Sequence, residues 1–204
     1  MEWGMVVAFW GVSMLFIMSP GADWSYAISA GIHKRVLPSV TGLLFGHVLA
    51  TLIVAAGLGL VLAQHPQALM ALSLLGAAYL AWMGWKMFRQ PATPSAGEQV
   101  DDTHWGRWCW KGLCVSGLNP KVLLLFLALL PQFIRPNQDS SITVQILALG
   151  LVHIIGCAAV YFAVGFGSQA VLSARPKAAW VVGKVSGVMM VGIALLIAVE
   201  QLSH

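Results

Sequence analysis

Six apolar blocks dominate the chain, at residues 3–31, 39–63, 68–88, 112–134, 143–172 and 178–199. A helix needs about 20 residues to cross the roughly 30 Å hydrocarbon core of a bilayer, and each block reaches that length. The chain is 59% hydrophobic and 9% charged, with a mean hydropathy of +0.82, a balance foreign to a water-soluble domain of 204 residues. The expected fold is all-α: a polytopic membrane protein with six transmembrane helices in a lipid bilayer.

The few charges fall between the blocks. Among the cations, Lys34 and Arg35 follow the first; Lys86, Arg89, Arg107 and Lys111 flank the loop after the third; Arg175, Lys177 and Lys184 lie between the fifth and sixth, while the alternate loops hold only Arg135. This asymmetry places the loops after blocks one, three and five in the cytoplasm and both termini on the periplasmic or extracellular side of an inner membrane. The net charge of +4 is thus a topology signal, and no nucleic-acid partner is expected. Glu2 is the sole charge before Asp23 and Lys34 is the first cation, so the first block lacks the basic start of a cleavable signal and is expected to remain in the protein.

Residues 90–107, with Pro91, Pro94, Gly97, Glu98, Asp101 and Asp102, form the one long polar stretch and read as a cytoplasmic linker between a first three-helix repeat, 1–89, and a second, 108–204. An odd number of spans per half inverts the second relative to the first, the arrangement of inverted-repeat transporters. Paired features accord with such a repeat. Ser19-Pro20-Gly21 interrupts the first helix of one half and Leu118-Asn119-Pro120-Lys121 that of the other, while Gly42-Leu43-Leu44-Phe45-Gly46-His47 parallels Gly150-Leu151-Val152-His153 in the second helices.

Pro20 and Pro120 each remove a backbone donor and leave carbonyl oxygens that lipid cannot satisfy. Either they simply kink their helices, or the opened backbone at Pro20-Gly21 and Asn119-Pro120 binds a substrate. Asp23, just past the first break, is an ionisable group in an apolar block, costly there unless paired or facing a wet cavity. Lys121 is its complement: the two form a static pair holding the halves together, or one receives a substrate's ammonium and the other its carboxylate. Asn119 carries the donors and acceptor to cap a helix or hold an amino-acid headgroup. Asp23, His47 and His153 are candidate proton carriers, since an unperturbed histidine titrates near pH 6.5; membrane histidines also serve as plain cross-helix hydrogen bonders. Gly42 and Gly46, like Gly183 and Gly187, have the spacing for close helix contact, within the chain or at a homodimer seam. Trp82, Trp85, Trp105, Trp108 and Trp110 read as interfacial anchors.

Cys109, Cys114 and Cys157 form no CxxC pair and read as packing residues, with no metal site indicated. No phosphate loop, HExxH, GxSxG or dinucleotide fingerprint occurs, so neither a cofactor nor an enzymatic reaction is expected and transport energy would come from a gradient.

Met18-Ser19-Pro20-Gly21-Ala22-Asp23, followed by Gly42 and Gly46 and by Gly76-Ala77-Ala78-Tyr79-Leu80-Ala81-Trp82-Met83-Gly84-Trp85, resembles the LysE/RhtB amino-acid exporters. Gly117-Leu118-Asn119-Pro120-Lys121 with Leu130-Pro131-Gln132-Phe133 is similar to that family's Asn-Pro-Lys segment and the Pro-Gln-Phe that follows it. The resemblance covers nearly the whole chain. It implies a six-helix secondary exporter, a dimer, that moves amino acids such as threonine, homoserine, leucine or lysine outward against protons. Ala22 departs from the family's usual Pro-Gly-Pro. The competing expectations are efflux of a soft metal ion such as cadmium, for which three dispersed cysteines make a poor thiolate cage, and a non-transport membrane subunit, which has little need for Asp23 and Lys121 beside two helix breaks.

Overall fold

The computed structural model describes residues 3–64, 66–90, 104–135, 140–168 and 176–202. Regular structure among them is helical throughout: α1 (Trp3–Met18), α2 (Ala22–Ile32), α3 (Val36–Gln64), α4 (Pro66–Arg89), α5 (Trp105–Gly117), α6 (Pro120–Leu129) running into a 3-10 turn at Leu130–Phe133, α7 (Ile142–Phe166) and α8 (Pro176–Leu202). Residues 91–103, most of the expected linker, and Arg175 lie outside the described residues, as do the side-chain surroundings of Gly183.

Two helical stretches are long and apolar enough to cross a membrane, Val36–Gly57 and Ile142–Phe166, with mean hydropathies of 1.9 and 2.2. A third candidate is the pair α1–α2, which bends by 60° at Ser19-Pro20-Gly21, where the sequence predicts a discontinuous first helix. The fourth apolar block is likewise divided, between α5 and α6 at Leu118-Asn119. With 24 and 27 residues, α4 and α8 have the length of a span. Along the described residues, α1 and α2 are followed by the long α3 and α4, and α5 and α6 by the long α7 and α8.

At the centre α3 packs on both α5 and α7, while α4 pairs with α8 and also touches α6. Backbone contact explains the glycines in the first of these pairs. A Cβ on Gly42 would overlap the carbonyl oxygen of Cys109, and one on Gly112 would lie 2.5 Å from that of Ser39, so the α3–α5 crossing tolerates no side chain there. Gly187 similarly faces Gly84 across α4 and α8, where an added Cβ would come within 2.6 Å of the Gly84 carbonyl oxygen. The small-residue spacings at Gly42 and Gly187 thus serve packing within the chain.

Two apolar clusters form the core. One joins Phe9 and Phe16 of α1 to Phe126 and Leu129 of α6 and Met190 of α8; the other joins Ile17 of α1 and Tyr26 and Ile28 of α2 to Leu43, Trp108, Cys157 and Tyr161. Of the tryptophans expected at an interface, Trp82, Trp85, Trp105 and Trp110 are exposed, Trp82 with Lys86 over its ring and Trp85 with Arg89 over its own. Trp108 corrects the expectation. It is fully buried against Tyr26 and His33, because α5 turns that residue inward onto α2 while its neighbours in sequence point away, as helical periodicity requires.

Candidate functional site

The two helix breaks meet, and each is finished by different chemistry. Pro20 has no N–H to return to the carbonyl oxygen of Phe16, four residues earlier, and α1 ends at Met18. The Phe16 oxygen instead accepts from the Ser19 amide at 3.2 Å and from the Lys121 ammonium at 2.8 Å. Lys121 Nζ also donates to the Ser19 oxygen at 3.0 Å, and Trp24 Nε1 donates to the Ile17 oxygen at 2.7 Å. A cation from the second half of the chain therefore sits at the carboxyl end of α1, where unpaired carbonyls and the helix dipole both favour positive charge.

The second break caps itself. Asn119 is the N-cap of α6, its Oδ1 accepting from the Lys121 amide at 3.0 Å, and Pro120 occupies the first turn, where the missing donor costs nothing. The Oδ1 of Asn119 thus serves as a cap, and its Nδ2 is left for other partners.

Asp23 lies in the first turn of α2 and is only 5% exposed. Three neutral donors surround its carboxylate: Ser116 Oγ to Oδ1 at 2.7 Å, Tyr161 OH to Oδ2 at 3.2 Å, and Asn119 Nδ2 to Oδ2 at the longer distance of 3.4 Å. The Asp23 carboxylate thus lies on hydroxyls and an amide, and the Lys121 ammonium on main-chain oxygens. Ser116 and Tyr161 are site residues that sequence reasoning missed. Nothing in the sequence marks Ser116 among the serines, or Tyr161 among the three tyrosines, until the fold sets α5 and α7 against α2.

His47 and His153 meet. Each stands eleven residues after the first residue of its helix, Val36 or Ile142, and the rings contact edge to face with centroids 5.1 Å apart. His153 Nδ1 lies 2.6 Å from Ser13 Oγ of α1, and its Nε2 lies 3.3 Å from Cys157 Sγ. His47 is 1% exposed, yet neither ring nitrogen has a hydrogen-bond partner.

Asp23, His47, Lys121, His153 and Tyr161 line one cavity, together with Phe16, Ile17, Val122 and Leu125. Its volume of ≈ 10 Å³ holds about one water molecule. The cavity sits at the seam of the two apolar clusters, which contribute Phe16, Val122 and Leu125 on one side and Ile17 and Tyr161 on the other. All six residues that the sequence nominates for substrate contact, Pro20, Gly21, Asp23, Asn119, Pro120 and Lys121, belong to the two breaks that meet here, and both candidate histidines face the same space.

Comparison with known proteins sets this geometry in context. The chain is 28% identical to an uncharacterized membrane protein of Vibrio cholerae serotype O1, across 93% of this chain and 94% of that one. It is 30% identical to the homoserine/homoserine lactone efflux protein of Salmonella typhimurium strain LT2 across 70% of each chain. The threonine efflux protein of Escherichia coli strain K12 is 28% identical, with 73% of this chain and 77% of that one covered. No solved structure matches at a significant level. Residues 14–201 match the family described as LysE type translocator, and the chain belongs to that family.

Proposed function

We propose that this protein exports an amino acid from the cytoplasm by alternating access, in exchange for protons, as a six-span protein of the inner membrane built from two inverted three-helix repeats. The observation that carries the reading is the placing of Asp23 and Lys121: in one cavity between two helix breaks, a buried carboxylate takes Ser116, Tyr161 and Asn119 as hydrogen-bond partners and an ammonium takes main-chain oxygens. A zwitterionic amino acid presents the complementary pair. Its ammonium replaces the hydroxyl and amide donors on Asp23, and its carboxylate takes the Lys121 proton left after two are given to carbonyls, beside the α6 N-terminus.

Phe16, Ile17, Val122 and Leu125 supply an apolar wall for the substrate side chain, which favours an uncharged one. Relatives named for homoserine and threonine efflux support the same substrate class. A cavity that holds about one water is too small for any amino acid, so the described conformation is read as a closed one between two open states. The repeat order, a broken helix and then two long helices in each half, supports rocking of one half against the other. Asp23, His47 and His153 supply the proton path.

The test is a panel of labelled amino acids loaded into proteoliposomes containing the protein, followed with an imposed proton gradient and after its collapse by an uncoupler. Outward movement of small neutral amino acids that falls when the gradient is collapsed is the expected result. A gradient-dependent flux of none of them would end the amino-acid reading, and flux indifferent to the gradient would end proton exchange.

A further inference from the structure

We propose that His47, His153 and Cys157 form a binding site for a thiophilic divalent cation, of the zinc or cadmium class, at the edge of the central cavity. The three residues offer two imidazole nitrogens and a sulfur that all lie within 4.8 Å of one another, and all three residues are buried. His153 and Cys157 are four residues apart on α7 and so share one face of it, while His47 reaches across from α3. This constellation is invisible in the sequence, where more than a hundred residues separate the first ligand from the other two.

Three further features suit a metal. The 3.3 Å between His153 Nε2 and Cys157 Sγ is close to the about 3.5 Å separating a nitrogen and a sulfur bound to one tetrahedral zinc at ordinary bond lengths. With its proton on Nδ1, His153 donates to Ser13 Oγ at 2.6 Å and turns the Nε2 lone pair toward the site, the outer-shell bond that orients most metal-bound histidines. His47, buried with both ring nitrogens unpartnered, is the group whose cost a ligand would remove. Two histidines and a thiolate select zinc, cadmium or copper(I) over magnesium or calcium. Binding releases the Cys157 proton, and both histidines also line the central cavity.

The site does not depend on the transport reading, so its test needs no flux. The full chain, purified in detergent or nanodiscs, is titrated with cadmium alone. One equivalent is expected to bind with the ultraviolet charge-transfer absorption of a cadmium–thiolate bond, which Cys157→Ser abolishes while Cys109→Ser and Cys114→Ser leave it intact. Ser13→Ala should weaken binding by about 10-fold, and His47→Gln by more. His47→Gln breaks no hydrogen bond of the described structure, so it tests the site even where Cys157→Ser does not fold. No charge-transfer absorption in the wild type, absorption that survives Cys157→Ser, or affinity unchanged by His47→Gln would each overturn the proposal.

Discussion

The two helix breaks look alike in sequence and are held in opposite ways. The break before α6 is local: Asn119 caps the helix from its own backbone turn, and Pro120 sits where a proline belongs. The break after α1 is not. Gly21, the N-cap of α2, carries no capping side chain, and the carbonyls freed around Pro20 are closed by Trp24 from the next helix and by Lys121 from the other half of the chain. One break is self-sufficient, and the other is a joint that exists only while the halves are together. On the proposed alternating-access reading, the dependent joint is the one that would sense movement of the halves, through Lys121.

This asymmetry can be broken experimentally. Lys121→Met should have the largest effect, removing the donor to Phe16 and Ser19 as well as the charge. We expect efflux to fall to background and thermal unfolding in detergent to reveal a loss of about 1–3 kcal/mol; a variant as stable as wild type would mean that the first break needs no partner from the second half. Asn119→Ala should cost about 1 kcal/mol as a lost N-cap and lower efflux several-fold. Asn119→Asp sharpens the point. It keeps a capping oxygen for the Lys121 amide but sets a second carboxylate beside Asp23, so stability should suffer less than efflux, and equal losses in both would contradict the separate roles assigned here. Trp24→Phe should have the smallest effect, at most about 1 kcal/mol from the bond to the Ile17 oxygen, with transport retained; loss of transport would move Trp24 into the site itself.

Much of this was legible in the chain before its fold. Proline and glycine inside apolar blocks mark the breaks at Pro20 and Pro120 because the missing donor is a property of the residue and needs no tertiary context. Isolated charges in such blocks mark Asp23 and Lys121 for a similar reason, since lipid offers them no solvation. The relation between those charges was not legible, because it depends on which carbonyls Pro20 leaves open and on where α6 lies when it reaches them. Ser116 and Tyr161 were hidden by their ordinariness, and a run of tryptophans near an apolar block resembles an interfacial belt until the fold sets Trp108 against α2, with Trp110 turned to another side of α5 and Trp105 exposed at its first residue. His47 and His153 stood out by their matching contexts. Cys157 lies one turn beyond His153 on α7, but the company of His47 with that pair did not stand out, for it arises from the packing of α3 on α7.

The central claim is that Asp23 holds its charge in reserve for a substrate instead of pairing with Lys121. The most direct measurement is efflux of labelled homoserine from proteoliposomes under a fixed proton gradient, comparing wild type with Asp23→Asn at equal amounts of inserted protein. Asparagine keeps the shape and an acceptor oxygen for Ser116 but not the charge, so the account predicts intact folding and a rate reduced by about 10- to 100-fold, the worth of one charged hydrogen bond. An Asp23→Asn protein that exports homoserine at the wild-type rate would contradict it.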